Sequence, residues 1–311
     1  MRKKSLIMPL VLTAGLLVLI AVVSRHDIAV LQPAGWVASE QKRLLLTATF
    51  IMLLIVIPVF ILTFYIAWKY RATNHKANYQ PEWDHNRKLE VLWWGFPCAI
   101  ILVLTAMIWN TSHSLDPSKA LVSSVKPLTI QVVALQWKWL FIYPEQQIAT
   151  VNYVQFPAGT PINFEITADA PMNSFWIPKL GGQIYAMEGM TTKLHLEADR
   201  PGTYRGMSAN ISGEGFASMN FTAESSATSD FDQWVTRTKQ GSNYLGLSAY
   251  GELAKPAVPK SNTAYASFQP DLFNTIVMKY MPEHGTMEAP MTDTIPSQTT
   301  NTTHLMQGMT H

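Results

Sequence analysis

Cysteine and charge are what this chain has least of. One cysteine, Cys98, occurs in 311 residues, and it lies inside an apolar run. A disulfide within the chain is excluded in any compartment. No thiolate is available to the polar part of the chain, so a copper–thiolate or cysteine–zinc site is excluded there. Charged residues make up 14% of the chain, where a soluble domain usually carries about a quarter. The net charge of +2 is nearly neutral and offers no basic surface for nucleic acid. The sequence also lacks a haem-attachment motif, a nucleotide-binding glycine fingerprint and an HExxH pattern.

The shortage of charge is uneven. Ser5–Val23, Leu44–Trp68 and Val91–Trp109 contain no charged residue. Each is near or above the roughly 20 residues that a helix needs to cross a bilayer. From Asn110 onward the chain reads as an ordinary polar one. This pattern excludes a single soluble globule, a polytopic transporter core and a disordered protein. It leaves a membrane anchor carrying a substantial external domain.

Charges around the runs set the topology. Arg2, Lys3 and Lys4 precede the first run in the manner of an export signal. Ala21-Val22-Val23-Ser24-Arg25 is a poor cleavage site. Residues 1–25 are therefore either a signal peptide that is removed or a signal anchor that stays. Residues 44–110 read as a transmembrane helical hairpin. Its loop, 69–90, carries Lys69, Arg71, Lys76, Arg87 and Lys88 and is cytoplasmic by the positive-inside rule. The domain from Asn110 onward is then external. Trp68, Tyr70, Trp93, Trp94 and Trp109 lie near the span ends, as interfacial aromatics do.

Over 128–223 the pattern becomes short alternating runs. Ile162, Phe164 and Ile166 alternate with polar residues, as do Leu194 and Leu196. Turn signals separate the runs at Pro157-Ala158-Gly159, Gly181-Gly182 and Pro201-Gly202. Such spacing predicts a small β-sandwich or barrel. Residues 230–281 form an aromatic-rich extension with helices predicted over Asp230–Gln240 and Pro270–Met281. Pro270 suits a first helical turn. Leu272, Phe273, Ile276, Val277 and Tyr280 share one face. That face packs either on the β domain or on a partner subunit. The tail, 282–311, is rich in Thr, Met and His without apolar periodicity and reads as disordered. Met287, Met291, Met306, Met309, His284, His304 and His311 suffice to hold copper loosely, although a plain flexible tail needs no metal.

Two motifs carry a family resemblance. Met172-Asn173-Ser174-Phe175-Trp176-Ile177-Pro178, continuing to Ala186-Met187 and Gly189, resembles the cupredoxin stretch that supplies the first histidine of the binuclear copper site CuA. Residues Gly206 to Met219 resemble the loop that supplies the remaining ligands, whose pattern is Cys-x-Glu-x-Cys, then His, then Met. Laid onto this chain, the first histidine falls at Asn173. The cysteines fall at Ser208 and Ser212, the glutamate at Asn210, the second histidine at Phe216 and the methionine at Met219. Met219 alone keeps the family's residue.

Trp68-Lys69-Tyr70-Arg71-Ala72, Trp137-Lys138-Trp139, Phe231-Asp232-Gln233-Trp234 and Pro270-Asp271-Leu272-Phe273 extend the likeness. The chain thus resembles subunit II of cytochrome bo-type ubiquinol oxidases, haem–copper oxidases that have lost CuA. The lipobox cysteine frequent in bacterial members is missing, and His26 stands roughly where it would be.

The resemblance implies a membrane-anchored α+β protein with an export or anchor segment, a transmembrane hairpin, an external cupredoxin-like sandwich and a helical extension. It implies a bacterial inner-membrane complex that oxidises ubiquinol, reduces O₂ to water and moves protons outward. The haems and copper would belong to subunit I, with no cofactor in this chain. The partners would be subunit I, the other subunits, membrane lipid and ubiquinol through the complex, with neither cytochrome c nor nucleic acid.

Glu90, at the cytoplasmic start of the last run, has two readings. An ionisable group at a membrane boundary can collect protons for a partner, and an acidic residue here lies at the mouth of a proton-uptake path in the family. Alternatively Glu90 pairs with Arg87 or Lys88. Two other assignments stay open. One is a membrane-anchored, cupredoxin-like copper-handling or assembly protein. The other is subunit II of a cytochrome c oxidase, which would require copper in the β domain.

Overall fold

The two central charge-free runs form the cores of two long helices, α1 (Trp36–Lys69) and α2 (Arg87–Ser114). The computed structural model describes residues 28–75, 84–259 and 261–281, with Gly15, Ala21 and Glu82. Apart from Gly15 and Ala21, the expected export segment lies outside the described residues, as does all of the tail 282–311. At 34 and 28 residues, α1 and α2 are about 51 and 42 Å long, more than the roughly 30 Å hydrocarbon core requires. The surplus of α1 is its charged start, where Glu40 pairs with Arg43 at 2.5 Å.

Within the spans, Thr49 and Thr63 donate to the carbonyls of Leu45 and Val59 at 2.7 Å each. Each hydroxyl is thereby satisfied inside its own helix. Asn86 caps α2 by accepting from the Leu89 N–H at 3.2 Å.

The domain that follows is built from β1 (Leu128–Leu135), β2 (Lys138–Tyr143), β3 (Ile148–Val151), β4 (Tyr153–Pro157), β5 (Ile162–Ala168), β6 (Asn173–Trp176), β7 (Ile184–Ala186), β8 (Thr192–Leu196), β9 (Gly202–Ser208) and β10 (Asn220–Ser226). The extension adds α3 (Thr228–Lys239), β11 (Tyr244–Leu245), α4 (Leu247–Ala254), β12 (Thr263–Tyr265), β13 (Ser267–Phe268) and α5 (Leu272–Met278). One sheet runs β12-β3-β2-β1-β5-β8 and the other β4-β10-β9-β6-β7. The pairings β1–β5 and β4–β10 are parallel, and every other pairing within the two sheets is antiparallel. The result is a cupredoxin-like sandwich.

Rings fill the space between the sheets. Phe175 stacks on Phe221 with centroids 5.1 Å apart and meets the edge of Trp139 at 5.3 Å. Gly206 lies under Phe221, where a Cβ would come within 2.0 Å of the ring. The six-stranded sheet is covered on its other face too. Val133, Leu135, Leu140, Ile142, Ala149 and Val151 point away from the sandwich and pack on Leu245, Tyr250, Phe268, Leu272, Phe273, Ile276 and Val277. Of the two readings left open for the extension's apolar face, packing on the β domain is the one observed.

The hairpin is stitched to this domain through its N-terminus. The Ala34 and Ala38 N–H groups donate to the carbonyls of Lys179 (2.8 Å) and Leu180 (3.2 Å), and Asp199 N–H donates to the Ala34 carbonyl at 2.9 Å. Ala38 is one of the helix-start donors that no intrahelical carbonyl can reach. Gly35 permits the approach, since a Cβ there would lie 2.0 Å from the Glu197 carbonyl oxygen.

Candidate functional site

The positions that the resemblance aligns with copper ligands gather at one end of the second sheet. Asn173 opens β6 and Ser208 closes the neighbouring β9, and both are buried. The Ser208 hydroxyl lies 3.1 Å from Asn173 Oδ1 and 3.2 Å from the Asn210 carbonyl oxygen. Asn173 Nδ2 donates to the Pro171 carbonyl at 2.7 Å, and Asn210 Nδ2 donates to the Met172 carbonyl at 2.8 Å. Met219 is 1% exposed, and its carbonyl accepts from the Ser208 N–H at 3.2 Å. Asn173, Ser208, Asn210 and Met219 are thus brought together by direct bonds.

Ser212 and Phe216 are held differently. Phe216 begins a 3₁₀ turn, Phe216–Ser218. The Trp137 indole N–H donates to the Ser212 carbonyl at 3.1 Å, while Ser212 Oγ is buried without a hydrogen-bond partner. Trp137 occupies the β1–β2 turn at φ 67°, and Gly215 lies against its ring, where a Cβ would come within 2.3 Å of Cδ2. Trp139 is fully buried in the sandwich. Among the described residues, no group of three or more His, Cys, Asp or Glu side chains is arranged to hold a metal ion.

Glu90 is in the first turn of α2, and its partner differs from either residue considered above. Glu90 Oε1 lies 2.6 Å from His85 Nδ1 and accepts from the Asn86 N–H at 3.4 Å. The turn that places His85 beside it is the Asn86 cap, which brings residues just before the helix over its first turn. With side chains about half exposed, this pair adds little to stability. Trp93 and Trp94 line the same open hollow.

Family models and relatives match this architecture. A model described as "Cytochrome C oxidase subunit II, periplasmic domain" matches residues 144–226, and one described as "COX Aromatic Rich Motif" matches residues 239–284. "Cytochrome bo(3) ubiquinol oxidase subunit 2" of Pseudomonas putida is 54% identical over 250 residues, 80% of each chain. The "Ubiquinol oxidase subunit 2" of Acetobacter aceti is 48% identical over 82% of this chain and 83% of its own. This chain belongs to the family of cytochrome bo(3)-type ubiquinol oxidase subunit 2.

Among solved structures, the periplasmic domain of subunit II of a Bradyrhizobium japonicum cytochrome oxidase is 21% identical, with a TM-score of 0.36, over 38% of this chain and 96% of that one. The ubiquinol oxidase relatives support the oxidase reading and not the copper-handling alternative. As in that family, the protein is membrane-anchored with a periplasmic domain.

Two buried charges were not singled out from the sequence. Asp169 follows β5, with its side chain 2% exposed. It accepts from the Tyr250 hydroxyl at 2.5 Å, the Tyr280 hydroxyl at 2.5 Å and Lys279 Nζ at 2.7 Å. Burial pushes its carboxyl up, but the hydrogen bonds from Lys279, Tyr250 and Tyr280 outweigh burial and hold it below the usual range. Lys138, 3% exposed at the start of β2, donates to the carbonyls of Leu253 (2.7 Å) and Lys255 (2.9 Å) at the end of α4. This is a cation at a helix C-terminus, and burial lowers its pKa. No spacing announces either site, because the partners lie between 81 and 117 residues away.

Proposed function

We propose that the chain is the non-redox subunit II of a proton-pumping ubiquinol oxidase in a bacterial inner membrane. The complex oxidises ubiquinol, reduces O₂ to water and moves protons outward. The observation that carries this reading is the hydrogen-bonded set Asn173, Ser208 and Asn210, at positions where a copper-bearing relative needs imidazole, thiolate and a carbonyl donor. A serine hydroxyl is a hard donor that keeps its proton near neutral pH, and an asparagine amide is no substitute for imidazole. Phe216 offers no lone pair. These residues do not fit a binuclear copper centre.

Electrons therefore pass from quinol to the large subunit without a relay here. The haems and the active-site copper sit in subunit I, which this chain supports along with the other subunits. The loop 69–90 faces the cytoplasm, as its cationic residues favour. Purification of the chain from its native membrane tests the assignment. Haem-bearing partners and quinol oxidase activity are expected. A lone protein, or one carrying copper in its β domain, would overturn it.

Glu90 supplies a proton-collecting carboxylate at the mouth of an uptake path in subunit I. Its placement in the first turn of a membrane helix, beside the titratable His85, supports this role. Glu90→Gln keeps the helix cap and removes the ionisable group. Turnover and proton uptake are expected to fall severalfold while the complex still assembles with its normal haem spectrum. Unchanged turnover would remove Glu90 from the path.

A further inference from the structure

Where the hairpin meets the β domain, the described residues enclose a cleft of about 580 Å³, within the size range of ligand sites. One side is the start of α1, with Trp36, Val37 and Gln41. Another is the exit from α2, from Ser114 through Lys119 to Val122. The third is the end of β8 and its following turn, with His195, Glu197 and Asp199.

The walls are fixed. The His195 N–H donates to the Pro117 carbonyl at 3.1 Å, and His195 Nδ1 lies 3.0 Å from the same oxygen. Gln41 lies against Gly182, where a Cβ would be 3.1 Å from Nε2. The cleft stands at the level where each helix leaves the bilayer, since Gln41 is within one turn of the charge-free run beginning at Leu44. Exposed Leu45 and Leu46 continue directly below it.

Its charges are of both signs, and Lys119 acts on the neighbouring Asp116 carboxylate without forming an ion pair with it. Glu197 and Asp199 stand near each other, and no side-chain hydrogen bond or ion pair reaches either carboxylate among the described residues. Burial, with the neighbouring charge of Asp199, pushes the Glu197 carboxyl above its usual range. Lys119, on the opposite wall, has no carboxylate partner within ion-pair distance among the described residues. Asp116 is already satisfied, accepting from the Ser118 N–H at 2.9 Å and the Ser118 hydroxyl at 2.7 Å. Trp36, 46% exposed, offers an amphipathic ring at the membrane boundary.

We propose that this cleft binds the headgroup of an aminophospholipid of the periplasmic leaflet, with phosphatidylethanolamine chemistry. The primary ammonium has three N–H donors for Glu197 and Asp199. The phosphate meets Lys119, and the acyl chains run down the exposed apolar faces of α1 and α2. A choline headgroup has no N–H to donate, and an anionic lipid would meet the two carboxylates with repulsion.

The test is native mass spectrometry of the chain isolated from its membrane with its accompanying subunits, delipidated and titrated with dioleoyl phosphatidylethanolamine, phosphatidylcholine or phosphatidylglycerol. The readout is independent of oxidase activity. In the double variant E197Q/D199N, which is isosteric and leaves the backbone stitches intact, occupancy of one phosphatidylethanolamine is expected to fall at least fivefold. Phosphatidylcholine occupancy is expected to stay unchanged, and phosphatidylglycerol occupancy to rise as the repulsion is removed. K119Q is expected to weaken phosphatidylethanolamine severalfold as well. Equal phosphatidylethanolamine occupancy in wild type and double variant would overturn the proposal. So would an equal loss of phosphatidylcholine. Loss of a protein subunit in place of a lipid would assign the cleft to a polypeptide and also overturn it.

Discussion

The six-stranded sheet is apolar on both faces, yet the two faces are sealed differently. Toward the sandwich, Trp139 and Phe141 meet Phe175 and Phe221 from the other sheet, ring against ring. Toward the extension, Leu140 and Ile142 meet aliphatic and aromatic side chains of β11, β13 and α5, and the seam ends in charges. Lys138 and Asp169 both sit at the end of β1. Lys138 pairs in register with Leu135, and Asp169 N–H donates to the Ala134 carbonyl at 2.9 Å. The inner face gains cohesion chiefly from buried rings packed against one another. The outer face adds directional bonds from Tyr250, Lys279, Tyr280 and the end of α4, which fix where the extension lies. Buried charges of this kind contribute more to a unique arrangement than to net stability.

The comparison can be broken from either side. The largest effect is expected inside the sandwich. Phe175→Ala removes a fully buried ring that touches several others and is expected to cost about 3–5 kcal/mol in denaturant unfolding of the full chain. Asp169→Asn comes next, at about 2–3 kcal/mol, because it turns one of the two acceptor oxygens, Oδ2 facing Tyr250 or Oδ1 facing Tyr280, into an amide NH2 and removes the charge from the other. The Lys279 side chain is 56% exposed, so its charge adds little to that figure. Hydrogen exchange is expected to rise across residues 244–281 and to leave β5 and β6 protected. Exchange spread evenly over the domain would mean that the two faces form one unit.

The same latch responds to acid. The native carboxyl of Asp169 sits below its unfolded value, so its contribution is fully present above the ordinary carboxylate pKa of about 3.9 and is lost as pH falls through the native one. Release of the extension in acid, followed by exchange at pH 3 against pH 6, is expected in wild type and absent in Asp169→Asn. Lys138→Met should be the smallest effect, about 1 kcal/mol. Two carbonyls lose a donor, but a desolvated ammonium is removed with it. A cost equal to that of Asp169→Asn would show that the two charges anchor the seam equally.

What was legible in the sequence followed from periodicity and from motif. The apolar runs at Leu44–Trp68 and Val91–Trp109 sit inside helices that run Trp36–Lys69 and Arg87–Ser114. The extra turns were hidden because Glu40, Lys42 and Arg43 ended the charge-free pattern while the helix continued into water. Thr129–Tyr143 is rich in β-branched and aromatic residues, as suits β1 and β2, which are covered on both faces. In the extension, the helix runs Leu272–Met278, inside the expected Pro270–Met281; its start is delayed because Asp271 adopts a left-handed conformation at φ 59°, and residues 279–281 are a turn and bend. The copper-loop positions could be placed through the family resemblance, and the structure sets Asn173 and Ser208 on neighbouring strands with Asn210, Ser212, Phe216 and Met219 in the connection between β9 and β10. Asp169 and Lys138 could not, because they matter only through partners contributed by a distant segment. Glu90 was visible as a boundary carboxylate, but His85 was overlooked as its neighbour because the pairing depends on the cap turn at Asn86.

The pairing of β12 with β3 has a consequence in time. Synthesis and export deliver the chain from its first residue onward, so the sandwich strands reach the periplasm before residues 244–281. Until those arrive, β3 is a bare sheet edge beside an uncovered apolar face, an open template for another chain. A stretch of this subunit that crosses the membrane after the sandwich strands is therefore the one that makes the earlier stretches safe from self-association. A ribosome that stops short of Tyr244 leaves behind a domain able to form its inner core and prone to aggregate.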